Sequence, residues 1–154
     1  MNNLIIYYSR SGKTKLVSKI IQEEKGGTLL EIKDKTNRSG VLGYIKGALD
    51  AMLSSNTDIE PDHVDLTEYD TIYVGTPVWA SKPAPAIMKI LENCDFTDKN
   101  IITFATMGGS GGDTTVKAMN DIIKENNGKI LKSFSIITGN NGNIENLTKQ
   151  AIND

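Results

Sequence analysis

At 154 residues, 38% hydrophobic and 23% charged, the chain has the size and make-up of one soluble globular domain and leaves little room for a second. Its 17 Lys and Arg against 19 Asp and Glu give a net charge of −2, which makes no electrostatic case for nucleic acid as a partner. One cysteine (Cys94) and one histidine (His63) exclude an internal disulfide, a CxxC redox pair and a Cys-based zinc site, and count against any transition-metal site.

The chain opens Met1-Asn2-Asn3 and runs straight into Leu4-Ile5-Ile6, with no basic region and no apolar run of membrane-spanning length. No signal peptide or membrane insertion is expected, and a cytoplasmic placement is. Leu4 to Tyr8 reads as a fully buried strand, and Leu16, Val17, Ile20 and Ile21 put one apolar face on a helix from about Lys13 to Glu24. Gly26-Gly27 ends that helix, and Thr28 to Ile32 reads as a second strand. Leu42, Ile45, Leu49, Met52 and Leu53 recur at helical spacing. Residues 58 to 70 carry six acidic side chains and no Lys or Arg, and are expected to form a solvated loop. Thr71 to Gly75 reads as a third strand, Ala84 to Leu91 as a helix with Pro83 and Pro85 near its start, and Ile101 to Thr106 as a fourth strand. A helix capped by Asp113 or Thr114, a fifth strand from Lys129 to Ile137 and a closing helix complete the chain.

Five strands alternating with five helices call for a parallel sheet covered on both faces. The first, third and fourth strands are apolar almost throughout, while the second and fifth carry Glu31, Lys33, Lys129 and Lys132, which suits sheet edges. The expected fold class is α/β, a three-layer doubly wound five-stranded parallel sheet of order 2-1-3-4-5 in a single domain over residues 1–154. Ligands of such sheets bind where the strand order reverses, so the loops after strands 1, 3 and 4 are expected to form the site.

The first of these loops is Ser9-Arg10-Ser11-Gly12-Lys13-Thr14. Three hydroxyls and free backbone N–H groups at a helix start make an anion site, where a simple N-cap needs one hydroxyl. A P-loop is excluded, because the G-x-x-x-x-G-K-[ST] pattern needs glycine where Tyr7 stands. A receiver-type signalling domain would need acidic residues where Ser9 and Thr76 stand. The second loop, Thr76-Pro77-Val78-Trp79-Ala80-Ser81-Lys82-Pro83, holds the only tryptophan, against which a planar aromatic ligand could pack. The third, Thr106-Met107-Gly108-Gly109-Ser110-Gly111-Gly112-Asp113, has four glycines in five residues, so a flat ligand could lie directly on the main chain. It also matches G-x-S-x-G, but a serine hydrolase needs a later histidine, and His63 precedes Ser110.

With S-R-S-G-K-T at 9–14, Y-V-G-T-P-V-W-A-S-K-P-A-P-A at 73–86 and T-M-G-G-S-G-G at 106–112, the chain resembles the flavodoxin family over essentially its whole length, in particular flavodoxin-like proteins with a G-T-P-x-W loop. The resemblance implies FMN as cofactor, its phosphate held by Ser9, Arg10, Ser11, Gly12, Lys13 and Thr14. The ribityl and ring parts would lie against Thr76, Pro77, Val78, Trp79 and Ala80, and the other ring edge against Thr106, Met107, Gly108, Gly109 and Asp113. No catalytic acid or base and no metal ligand is implied, because a flavin carries its own redox chemistry.

Three features depart from the carriers of that family. The chain is nearly neutral where they are strongly acidic, and its glycine-rich loop lacks their flavin-stacking tyrosine. Residues 76 to 83 also lack the glycine whose peptide reorients toward the reduced flavin, and a non-glycine residue at positive φ costs about 1–2 kcal/mol. The leading expectation is an FMN-dependent electron-transfer protein serving redox partner proteins. The alternatives are an FMN-dependent NAD(P)H oxidoreductase acting on a quinone or similar small acceptor, and a binding or regulatory domain that kept the fold without the flavin.

Overall fold

The computed structural model describes residues 2–36, 57–139 and 143–154. Four helices and eight strands lie in these stretches. Strand β1 (Asn3–Tyr7) leads into helix α1 (Lys13–Lys25), then β2 (Thr28–Glu31) and the two-residue β3 (Lys33–Asp34). After β4 (Ile59–Glu60) come β5 (Thr71–Trp79), β6 (Lys82–Pro83) and α2 (Pro85–Glu92). The chain closes with β7 (Asn100–Met107), α3 (Gly112–Glu125), β8 (Lys129–Ile137) and α4 (Ile144–Asn153). The helical pattern expected around Leu42 to Leu53 lies outside the described residues.

The main sheet has the order β2-β1-β5-β7-β8, and these five strands pair in parallel. That is the doubly wound order expected from the sequence. Burial follows the alternation of side chains along a strand. Leu4, Ile6, Ile72 and Val74 join Ile87, Ile90 and Leu91 of α2 and Met119 and Ile123 of α3 in one core. Ile5, Tyr7, Tyr73 and Phe104 join Val17, Ile20 and Ile21 of α1 and Ile144 of α4 in the other. Each central strand is thus apolar on both faces because helices cover both. The outer strand β8 alternates exposed and half-buried residues, and carries a bulge where it pairs with Ile101 and Ile102. With Lys129 and Lys132 it has the character of a protected edge.

Two expectations are corrected. The acidic stretch is not wholly a solvated loop, since β4 pairs antiparallel with β3 and both Ile59 and Leu66 are buried in the first core. Those two apolar side chains override the surrounding charge, because their burial removes apolar surface from water while the carboxylates stay outside. Nor is α3 capped by Asp113 or Thr114. Its N-cap is Gly111 at φ 92°, with no side-chain cap, and Asp113 is an exposed residue of the first turn. A glycine reaches that left-handed conformation without a Cβ penalty, and the loop's close approach to β5 requires one, because a Cβ on Gly111 would stand 2.9 Å from Cγ1 of Val78.

Candidate functional site

The C-terminal ends of β1, β5 and β7 lie side by side in the sheet, and the residues after them form a cleft of about 480 Å³. Arg10, Ser11 and Lys13 line it from the first connection, Pro77, Val78 and Trp79 from β5, and Thr106, Met107 and Gly108 from the third.

Tyr8 extends β1 by one bond, donating its N–H to the Gly75 carbonyl at 3.3 Å, and the chain then turns into α1 through Gly12 at φ 93°. The Ser9 hydroxyl oxygen accepts the N–H groups of Gly12 (3.1 Å) and Lys15 (3.2 Å) and so shapes the turn from within. Leu16 N–H begins the helical ladder on Gly12. No hydrogen bond among the described residues uses the N–H groups of Ser11, Lys13 or Thr14. Those donors at a helix head, with Arg10 and Lys13 at the mouth, suit an anion such as a phosphate. Thr14 itself is buried, and its hydroxyl is 2.8 Å from that of Thr106. It ties two walls together beneath the cleft.

The segment from Thr76 is not a loop, as its sequence suggested. β5 continues through Trp79 and folds back at Ala80 and Ser81, both at positive φ (51° and 62°), into β6, with Trp79 opposite Lys82. A two-residue reversal with both residues left-handed matches the twist of the strands it joins, which is why the chain adopts it here without glycine. Thr76 is buried, its hydroxyl accepting the Ala84 N–H at 2.8 Å and donating to the Pro77 carbonyl at 2.9 Å. It therefore holds the entry to α2 and does not line the cleft. Trp79 is only 8% exposed, with Tyr8 edge-on at 5.6 Å and the Arg10 guanidinium 5.5 Å from its ring centre.

The four glycines after β7 divide into two pairs. Gly108 and Gly109 face open space, so their main chain is available to a flat ligand. Gly111 and Gly112 are packed, the first against Val78 and the second against Ser135 and Met107. Of the residues expected at the site, Ser9, Gly12, Thr14, Thr76, Ala80, Gly109 and Asp113 do not line the cleft, although Ser9, Gly12, Thr14 and Thr76 shape its walls. Thr138 lines it and was not anticipated. It follows β8, and its N–H and hydroxyl both donate to the Met107 carbonyl, at 2.8 and 3.2 Å. The signal available was its place at the same sheet edge, one strand beyond the three singled out.

Cys94 and His63 lie outside this cleft, and no cluster of His, Cys, Asp and Glu suited to a metal occurs among the described residues. No helix among them is long and apolar enough to cross a membrane.

A parallel doubly wound sheet with unbonded N–H donors after β1 and an aromatic ring at the end of β5 defines a flavodoxin-like protein built to bind a phosphate-bearing planar ligand. The family model for flavodoxin matches residues 2–147, and the chain belongs to that family. A flavoprotein of Lactobacillus acidophilus NCFM, solved in complex with FMN, is 28% identical, with 87% of this chain and 92% of that one covered and a TM-score of 0.73. A Bacteroides uniformis ATCC 8492 protein shares the fold at 24% identity, with 99% and 98% covered and a TM-score of 0.84. So does a Fusobacterium nucleatum flavodoxin bound to flavin mononucleotide, at 16% identity, 99% and 93% covered and a TM-score of 0.58. No curated protein matches.

Proposed function

We propose that the cleft holds FMN and that the protein transfers electrons to or from redox partner proteins. The observation that carries this reading is the meeting, in one cleft, of the unbonded N–H groups at the head of α1 and the Trp79 ring with Arg10 over it. Family membership and the FMN-containing Lactobacillus acidophilus relative support it.

The residues present fit the group. The N–H groups of Ser11, Lys13 and Thr14, with the charges of Arg10 and Lys13, would hold the phosphate, in a turn shaped by Ser9 and Gly12. Pro77, Val78 and Trp79 would offer an apolar wall to the ring, and Thr106, Met107 and Gly108 its other edge. Bound flavin supplies reversible one- or two-electron transfer, while the protein sets its orientation, access and potential.

Titrating FMN into the purified protein while following Trp79 fluorescence tests this. The expected result is saturable quenching at one FMN per chain and a yellow protein after gel filtration. A colourless protein with unchanged fluorescence would sink the reading.

One observation favours a second reading, an FMN-dependent NAD(P)H oxidoreductase acting on a quinone or similar small acceptor. Ala80 and Ser81 stand at positive φ without glycine, between the paired residues Trp79 and Lys82, so this turn has little freedom to reorient with each single electron. Reductive titration separates the two. Spectra passing through one set of isosbestic points, together with steady NAD(P)H oxidation in the presence of a quinone, mark the enzyme; two successive sets mark the carrier.

A further inference from the structure

The peptide between Met107 and Gly108 joins the end of β7 to the glycine-rich connection. It is trans, so its carbonyl and its N–H point in opposite directions across the strand. The carbonyl is turned toward the outer strand, where it accepts the N–H of Thr138 at 2.8 Å and its hydroxyl at 3.2 Å. The Gly108 N–H therefore points the other way, toward β5, which borders β7 on that side and brings Pro77, Val78 and Trp79 to the cleft. Gly108 lines the cleft too, and no hydrogen bond among the described residues uses its N–H.

That orientation has to be held. A peptide that precedes glycine swings about its flanking bonds at little cost, and a Cβ on Gly108 would meet nothing within 4 Å. The Thr138 N–H continues the β7–β8 ladder, but one bond leaves the peptide plane free to rock about it. The hydroxyl reaches the same oxygen from a side chain, a second direction, and fills its other lone pair. Gly139 closes in behind, since a Cβ there would stand 2.6 Å from the Gly108 carbonyl oxygen. Valine has the same branched shape and would suit a strand end equally well, so the sheet does not call for the hydroxyl.

We propose that Thr138 is a positioning residue whose hydroxyl, through the Met107 carbonyl, holds the Gly108 N–H toward the edge of the flat cofactor. This rests on the FMN reading above and adds to it a residue from outside the three connections where the strand order reverses. A donor fixed there acts most on the form of the ring with more negative charge at its edge, which is the reduced one. Thr138 thereby favours reduction, and the outer strand takes part in setting the potential.

The test compares Thr138→Val, which loses the hydroxyl and keeps the backbone bond, with Thr138→Ser, which keeps both. FMN affinity is measured for the oxidised and the fully reduced cofactor. Thr138→Val is expected to weaken binding of reduced FMN at least about fivefold and of oxidised FMN less than about twofold, with Thr138→Ser restoring both. By linkage the midpoint potential of the valine variant then falls by the ratio of the two losses. Equal losses in both forms, no loss, or no recovery with serine overturns the proposal.

A second readout needs no cofactor. In ¹⁵N relaxation of the FMN-free protein, Gly108 is expected to be as ordered as β7, with an order parameter of about 0.85, and to drop below about 0.6 in Thr138→Val. The same order, high or low, in both proteins overturns the positioning role whether or not FMN binds. A parent protein that takes up no FMN, with the difference in order intact, overturns the flavin reading alone.

Discussion

The hydroxyls of Thr14 and Thr106 lie 2.8 Å apart, both buried, and join the first turn of α1 to the end of β7 across 92 residues of sequence. Two connections that meet at the cleft from different sides are thereby held in register by one buried bond.

Replacing either partner by valine leaves the other hydroxyl buried and unpaired, at a cost of about 1–2 kcal/mol. Thr14→Val and Thr106→Val together should cost less than the sum of the two, by roughly 1 kcal/mol. Urea unfolding of the four proteins in the cycle checks this, and strict additivity would show that the bond contributes nothing.

Gly75 sits in the middle of β5, where an added Cβ would enter the ring of Phe104. That ring is wholly buried and stacked on Phe134, with centroids 5.6 Å apart, so it cannot withdraw. Gly75→Ala should destabilise by about 2–3 kcal/mol through overpacking. Adding Phe104→Leu to that variant should recover part of the loss. If Gly75→Ala melts like the parent, the Phe104 ring does not pack against Gly75.

The Ala80–Ser81 reversal holds two side chains where glycine or asparagine is favoured. Ala80→Asn with Ser81→Gly should stabilise the protein by about 1 kcal/mol and raise Tm by a few degrees. An unchanged or lower Tm, measured by calorimetry, counts against the left-handed turn.

Cys94 is buried in the first core, and burial pushes its thiol up to about 11, against a smaller opposing effect of a hydrogen bond with the Val64 backbone. At pH 8 roughly one thiol in a thousand would be the reactive thiolate. Alkylation by iodoacetamide should therefore be at least about tenfold slower in the native protein than in urea, and should quicken as pH rises toward that value. Equal rates in both states would place Cys94 at the surface.

Much of the fold was legible from residue order alone. Leu4–Tyr8, Thr71–Gly75 and Ile101–Thr106 are apolar almost throughout, which marks strands covered on both faces, and the intervening helical patterns left a parallel sheet as the fitting architecture. Two features misled. The segment from Thr76 was expected to be a loop, yet β5 runs on to Trp79 because the return strand β6 supplies a partner that the sequence does not advertise. Asp113 looked like a cap, but Gly111, two positions earlier, reaches the left-handed geometry that the turn demands.

The sequence by itself determined the strand order, the three connections that meet at the site, and the hydroxyl-rich turn from Ser9 to Thr14. These follow from local periodicity and from the rule that open parallel sheets bind ligands where their order reverses. Only the tertiary structure decided how the parts of each connection divide their work. Thr14 faces Thr106 and not the cleft, Arg10 lies over Trp79, and Thr138 enters from the outer strand. Such pairings join residues far apart in the chain, and their geometry is set by the packing of whole strands against one another, which no local pattern encodes.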